Sequence, residues 1–282
     1  MSFPRELRSE CRVGDLLLVA AVPLALLAVY ALPEATRRSL VFAYEEPTLL
    51  TAYASHSVHL GPEHLLVNLA SYLLLVPTAY ALAVLGGRRT RFRIGFIAVL
   101  VAVPFSLSWL NLLFVRPRVG FGFSGVAMGC LGLLALELFN YGRTSLSLPL
   151  SWDDAAMLFF VELALISLAV APRTATTLAV AGVSAVIAVA YGWHLLRTID
   201  RDAGSEVGTR LGRLREPGFA ELAVVGVVLV VAFPFVAFPP RPDRGRRGGE
   251  PLHPPARLLS RVRVRLRPPV RGAGRHGRRR VR

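Results

Sequence analysis

Apolar residues fall along this chain in long unbroken blocks, neither in strand-like alternation nor in the one-sided stripe of a soluble helix. The blocks lie near 13–32, 64–85, 93–115, 124–141, 155–171, 175–196 and 219–238. Each is about 17 to 23 residues, close to what a helix needs to cross a hydrocarbon core roughly 30 Å thick. The pattern predicts an all-α polytopic membrane protein with about seven transmembrane helices. The first block follows Arg5, Arg8 and Arg12 and shows no small-residue cleavage site before Pro33. It reads as a retained signal-anchor.

Charge in the short loops sets the expected orientation. Arg88, Arg89, Arg91 and Arg93 lie at the second gap, and Arg197, Arg201, Arg210, Arg213 and Arg215 at the sixth. The positive-inside tendency makes both cytoplasmic. The N-terminus is then cytoplasmic, and the loops at 33–63, 116–123 and 172–174 face outward. A multi-pass protein of the cell membrane is expected. Composition agrees: of 282 residues 54% are hydrophobic, too many for an ordinary soluble domain. The only cysteines, Cys11 and Cys130, suggest no disulfide framework. With no CxxC and no metal-ligand spacing, neither a metal nor a cofactor is expected.

Two polar constellations interrupt the apolar blocks. Gly120-Phe121-Gly122-Phe123-Ser124-Gly125 opens the fourth block and puts one serine between glycines at a helix start. Free backbone N–H groups and the positive end of the helix dipole lie there, donors suited to a developing oxyanion. Read alone, the motif is better explained as a helix cap with small residues for close packing than as a nucleophile. The second constellation opens the second block, as His59-Leu60-Gly61-Pro62-Glu63-His64-Leu65-Leu66-Val67-Asn68. His64 and Asn68, four residues apart, project from one helix face. Both are polar near membrane depth, where an unpartnered group is costly and often functional. By the loop count both constellations lie at the outer ends of their spans.

Together, His59-x4-His64-x3-Asn68 and Gly122-x-Ser124-Gly125-x3-Gly129 resemble the rhomboid intramembrane serine proteases, over roughly residues 45–140. The resemblance implies a rhomboid-like helical bundle in which Ser124 is the nucleophile. The side chains of His64 and Asn68, with the Ser124 N–H, would form the oxyanion hole. His59 would be structural, beneath the site, and Gly125 and Gly129 would let the serine helix pack against a neighbour. The implied substrates are single-span membrane proteins, cut within the bilayer near its outer face. A catalytically inactive, client-binding relative of the family is the alternative. A small transporter ranks last, because the polar residues cluster at one end of the spans and not at midplane.

The resemblance also calls for a histidine base in an HxxGxxxG pattern, and the printed chain does not supply one. His194, beside Trp193, falls near the cytoplasmic end of the sixth block, about 28 Å from the outer face at 1.5 Å per residue. His253 lies on the outer side but inside a segment, 241–282, that holds 15 of the 33 arginines against only Asp243 and Glu250. So basic a tail is either a disordered arm for anionic partners or a stretch read out of frame. Its outward position contradicts the positive-inside tendency. The chain contains no lysine and is rich in arginine, alanine, glycine and proline, as a GC-rich gene would give. A one-base shift between about residues 238 and 250 allows codons for Glu250–Arg261 to read as an apolar span opening H-L-L-G-Y-S-L-G. The expected organisation is therefore a transmembrane domain over 1–240 and a tail over 241–282, with eight spans if the frame is corrected. On that reading nucleic acid is not an expected partner.

Glu137 and Glu162, inside spans, are expected to bond neighbouring helices. Trp109 and Trp152 are expected as interfacial anchors, and Asp153 and Asp154 as favourable charges opening the fifth span. The rhomboid resemblance implies that the 33–62 segment is a lateral loop partly embedded in the membrane, although it carries no clear tryptophan–arginine signature.

Overall fold

The computed structural model describes residues 2–113, 119–169, 174–202 and 216–237, with the side chains of 198–202 and 237 excepted. Ten helices carry nearly all of it: α1 (Phe3–Glu10), α2 (Val13–Tyr30), α3 (Glu34–Ser39), α4 (Leu49–Ala54), α5 (Pro62–Leu85), α6 (Arg89–Leu113), α7 (Ser124–Thr144), α8 (Ala156–Ala169), α9 (Ala175–Asp202) and α10 (Phe219–Ala237). Two short strands, β1 (Phe42–Ala43) and β2 (Val119–Gly120), pair antiparallel. The apolar blocks thus became helices with borders shifted by only a few residues. Six of them (α2, α5, α6, α7, α9 and α10) are long and apolar enough to cross a membrane, which makes the chain a multi-pass membrane protein. The fifth block, 155–171, is different. Its described helix, α8, has 14 residues, follows a 3₁₀ turn at Asp153–Ala155 and ends where the described residues end, so its described part is shorter than a span.

Local sequence explains where the central helices start and stop. α5 begins with Pro62 in its first turn, where the missing N–H costs nothing, and with Glu63 at the positive end of the dipole. It stops at Gly86 and Gly87, the latter at φ +70°. The carbonyls that α5 leaves free are taken up by the last turn of α7. Ser145 Oγ donates to Leu85 O at 2.7 Å, and Asn140 Nδ2 and Thr144 Oγ1 each donate to Gly86 O at 3.2 Å. In α2, Pro23 cannot bond back to the Val19 carbonyl; Tyr72 of α5 donates its hydroxyl to that oxygen at 2.7 Å.

The core lies between α5 and α7, whose facing residues include the fully buried Tyr72, Leu75, Leu82, Leu131 and Leu134. α6 and α10 flank this pair. Among apolar helices water drives little association, so close packing and small residues decide which faces meet. A Cβ on Gly125 would collide with Leu107 Cδ1, and one on Gly129 would stand 3.0 Å from Val99 Cγ1 and 3.2 Å from Val103 Cγ2. The neighbour expected for the serine helix is therefore α6. α10 runs antiparallel to α7. Its Phe219 carbonyl accepts from Tyr141 near the C-terminal end of α7, and its Phe233 reaches the N-terminal end, at Ser124.

Candidate active site

The chain between α2 and α5 forms a bracket around the turn that precedes Ser124. β1 pairs Phe42 with Gly120 and Ala43 with Val119. The Gly122 N–H donates to Ser55 O at 3.0 Å. Arg37, stacked 4.6 Å from the Tyr30 ring centroid, donates to His59 O at 2.5 Å and ties the far side of the bracket down. Thr48 and Thr51 form a reciprocal capping box that starts α4. The lateral loop expected at 33–62 is thus a folded element, pinned to the serine turn by backbone bonds.

Gly122 stands at φ +104°, a conformation few side chains tolerate. A Cβ there would also lie 2.6 Å from His64 Cε1. Both facts require glycine, and together they let the backbone pass directly over the His64 ring. Two residues on, α7 begins at Ser124 itself with no side-chain cap at Phe123. The Ser124 N–H sits in the first turn, where a helix supplies no acceptor.

Ser124, His64 and Asn68 meet on one cavity of about 200 Å³, completed by Val67, Ser71, Ala127 and Phe233. Ser124 and His64 are half-buried and Asn68 is buried. The Asn68 amide donates one hydrogen to His64 O at 2.8 Å, which fixes its rotamer and leaves its second N–H. The His64 ring packs edge-on against His59, centroids 4.9 Å apart, and against Phe121 at 5.9 Å. The wall therefore carries a hydroxyl, an imidazole and an amide. The arrangement has the parts for attack by an alkoxide and for hydrogen bonding to the resulting oxyanion.

His59 lies beneath, wholly buried. Its Nδ1–H donates to Ser57 O at 3.2 Å, and Nε2 has no partner among the described residues. Burial first, and the neighbouring His64 ring second, push its pKa down to about 4, against a smaller opposing pull from the Ser57 carbonyl. A neutral, packed imidazole fits a supporting role.

His56 and Phe233 were missed by the sequence. Ser124 also forms part of a second cavity of about 190 Å³, shared with Ser55, His56, Leu107, Ser108 and Asn111. The Ser108 hydroxyl donates to Ala52 O at 2.7 Å, so it accepts from His56 Nε2 at 3.1 Å. That fixes the tautomer and leaves the lone pair on Nδ1, which is buried without a hydrogen-bond partner among the described residues. Burial lowers the His56 pKa, opposed by the backbones of Pro104 and Gly122. A third histidine so close to His59 was the available signal. Phe233 gave none, being one apolar residue in an apolar block.

Other sequence expectations fared unevenly. His194 is on α9, which packs mainly on α8, and it does not line either Ser124 cavity. His253 and the whole 241–282 tail lie outside the described residues. Glu137 and Glu162 do not bridge helices as expected. Glu137 Oε2 and both Glu162 oxygens are buried with no hydrogen-bond partner among the described residues. Trp109 is exposed on α6, as an anchor would be. Trp152 is exposed as well, and the guanidinium groups of Arg88 and Arg143 both stack over its ring. Asp154 accepts from the Ser151 N–H and hydroxyl, both at 2.8 Å, and so helps to start the turn into α8.

Compared with known protein families, curated proteins and solved structures, the chain finds no match.

Proposed function

We propose that this chain is an intramembrane serine endopeptidase of the rhomboid type, cutting transmembrane segments near the outer membrane face. The single observation that carries the reading is the convergence of Ser124, His64 and Asn68 on one cavity at the end of the helix pair α5–α7. The Ser124 hydroxyl attacks the scissile carbonyl and gives its proton to a base. The oxyanion is held by the Ser124 N–H and by the His64 and Asn68 side chains. The base then protonates the leaving amine, and water releases the acyl group by the same steps. The polar end sits outward and the Arg88–Arg93 end is cytoplasmic, as loop charge favours.

On the rhomboid reading the base would be supplied by chain that follows α10. Because α10 runs toward Ser124 and carries Phe233 into its cavity, the chain leaves Ala237 at the serine end. The frame-shifted HLLGYSLG reading falls in the stretch that follows, outside the described residues. Substrates would be single-span proteins whose helices unwind readily at small residues. A client-binding, non-catalytic role is the second reading, favoured by the lack of an assigned base in the printed frame.

Proteoliposome cleavage separates the two. The chain with its frame restored is expected to cut a single-span reporter, and Ser124→Ala to abolish cutting. Association with the reporter, without cleavage by either form, would leave only the client-binding reading.

A further inference from the structure

At the opposite end of the α5–α7 pair a second polar cavity, of about 630 Å³, opens among Arg88, Arg89, Arg91, Arg143 and Trp152. We propose that it binds a phosphate-bearing anion, and that a phospholipid headgroup of the adjacent leaflet supplies it. The proposal stands apart from the chemistry at Ser124.

The arrangement of the arginines carries it. Arg88 follows α5, Arg143 lies in the last turn of α7, and Trp152 precedes α8. The three converge so that both guanidinium carbons lie over the same indole ring, at 4.7 and 4.6 Å from its centroid. Stacking on a ring orients a guanidinium and neutralises none of its charge. The Nε atoms of Arg88 and Arg143 are buried with no hydrogen-bond partner among the described residues. Two like charges held this close repel one another, and a shared anion relieves them.

Carboxylates nearby do not suffice. Asp15 is divided between Arg89 at 3.4 Å and Arg93 at 4.0 Å, and also accepts from Tyr80. Glu10 is the one acidic residue lining the cavity, and the buried Glu137 lies within electrostatic reach of Arg88 and Arg91. Four arginines line the cavity against one lining carboxylate, that of Glu10. Loop charge and interfacial aromatics account for Arg88 to Arg93, Arg143 and Trp152 lying at one membrane end, but not for two guanidinium groups meeting on one ring. A guanidinium fork matches phosphate oxygens bidentately. The volume lies within the range of small-ligand sites, and basic pockets between transmembrane helices suit phosphorylated headgroups.

The test is native mass spectrometry of the full chain in detergent, with phosphatidylglycerol or phosphatidylcholine added at equal concentration. Wild type is expected to retain phosphatidylglycerol several-fold better. Removing one arginine should cost about fivefold, given the usual attraction of one basic residue to an anionic surface. Arg143→Gln and the exposed, structurally undemanding Arg91→Gln should each lose retention, while Arg197→Gln, on α9, keeps it. Equal retention of the two lipids, or wild-type retention by both Arg143→Gln and Arg91→Gln, would overturn the proposal. A parallel arm adds millimolar inorganic phosphate to protein in phosphatidylcholine. Thermal stabilisation equal to that given by phosphatidylglycerol would overturn the lipid as the source.

Discussion

Single positions around Ser124 are constrained by geometry that leaves few alternatives. Gly122 admits no side chain, because of both its φ and the His64 ring above it. His59 is held neutral, and that has a pH consequence. Its folded pKa is about 4 against an ordinary 6.5. Between those values the unfolded chain binds a proton that the folded chain refuses, so stability falls as pH drops through that window. Thermal unfolding in detergent should show the midpoint falling from pH 6.5 toward 4, with a shallower fall in His59→Gln. A wild-type midpoint that stays flat would rule out a buried neutral His59. Ser124, His64 and Asn68 were legible in the sequence because each is a polar residue at a fixed spacing within apolar surroundings. His56 was not, since its role arises from Ser108 on α6, fifty-two residues away, whose partner no local pattern reveals.

Whole elements were easier to read than their contacts. Six spans follow directly from block length, since a helix in lipid satisfies its own backbone. α8 begins only at Ala156, after Leu148, Leu150 and Ser151 fold back in a turn against the end of α7, with Leu148 N–H donating to Gly142 O at 3.0 Å. Hydropathy counts apolar residues and is blind to such a turn. Close packing of α7 on α6 gives an internal comparison. Gly125→Ala drives a methyl into Leu107, whereas Gly132→Ala on the same helix meets nothing within 4 Å. The first should lower stability by about 1–3 kcal/mol through overpacking. The second should be neutral or slightly favourable from helix propensity. Unfolding temperatures of the two variants check this, and equal shifts would mean that α6 and α7 do not pack in this register.

Across the molecule, one helix pair carries two polar ends of opposite character. α5 and α7 meet at Ser124, His64 and Asn68 on one side and at Arg88, Arg143 and Trp152 on the other. The charge asymmetry of the loops foretold the second end, but the convergence of three separate segments on one indole depends on tertiary packing. α10 closes the first end with Phe233 and delivers the chain to it. That geometry is why a base is sought after residue 237. The most direct measurement is reaction with a fluorophosphonate probe in proteoliposomes, with the adduct mapped by peptide mass spectrometry. It is made on the printed chain and on the chain with its frame restored. The restored chain should carry the adduct on Ser124 and react far faster than the printed one. His64→Ala or Asn68→Ala should slow it about 100-fold, the usual loss of one oxyanion donor. A restored chain that leaves Ser124 unmodified, under conditions where a known serine hydrolase is labelled, would contradict the nucleophile assignment.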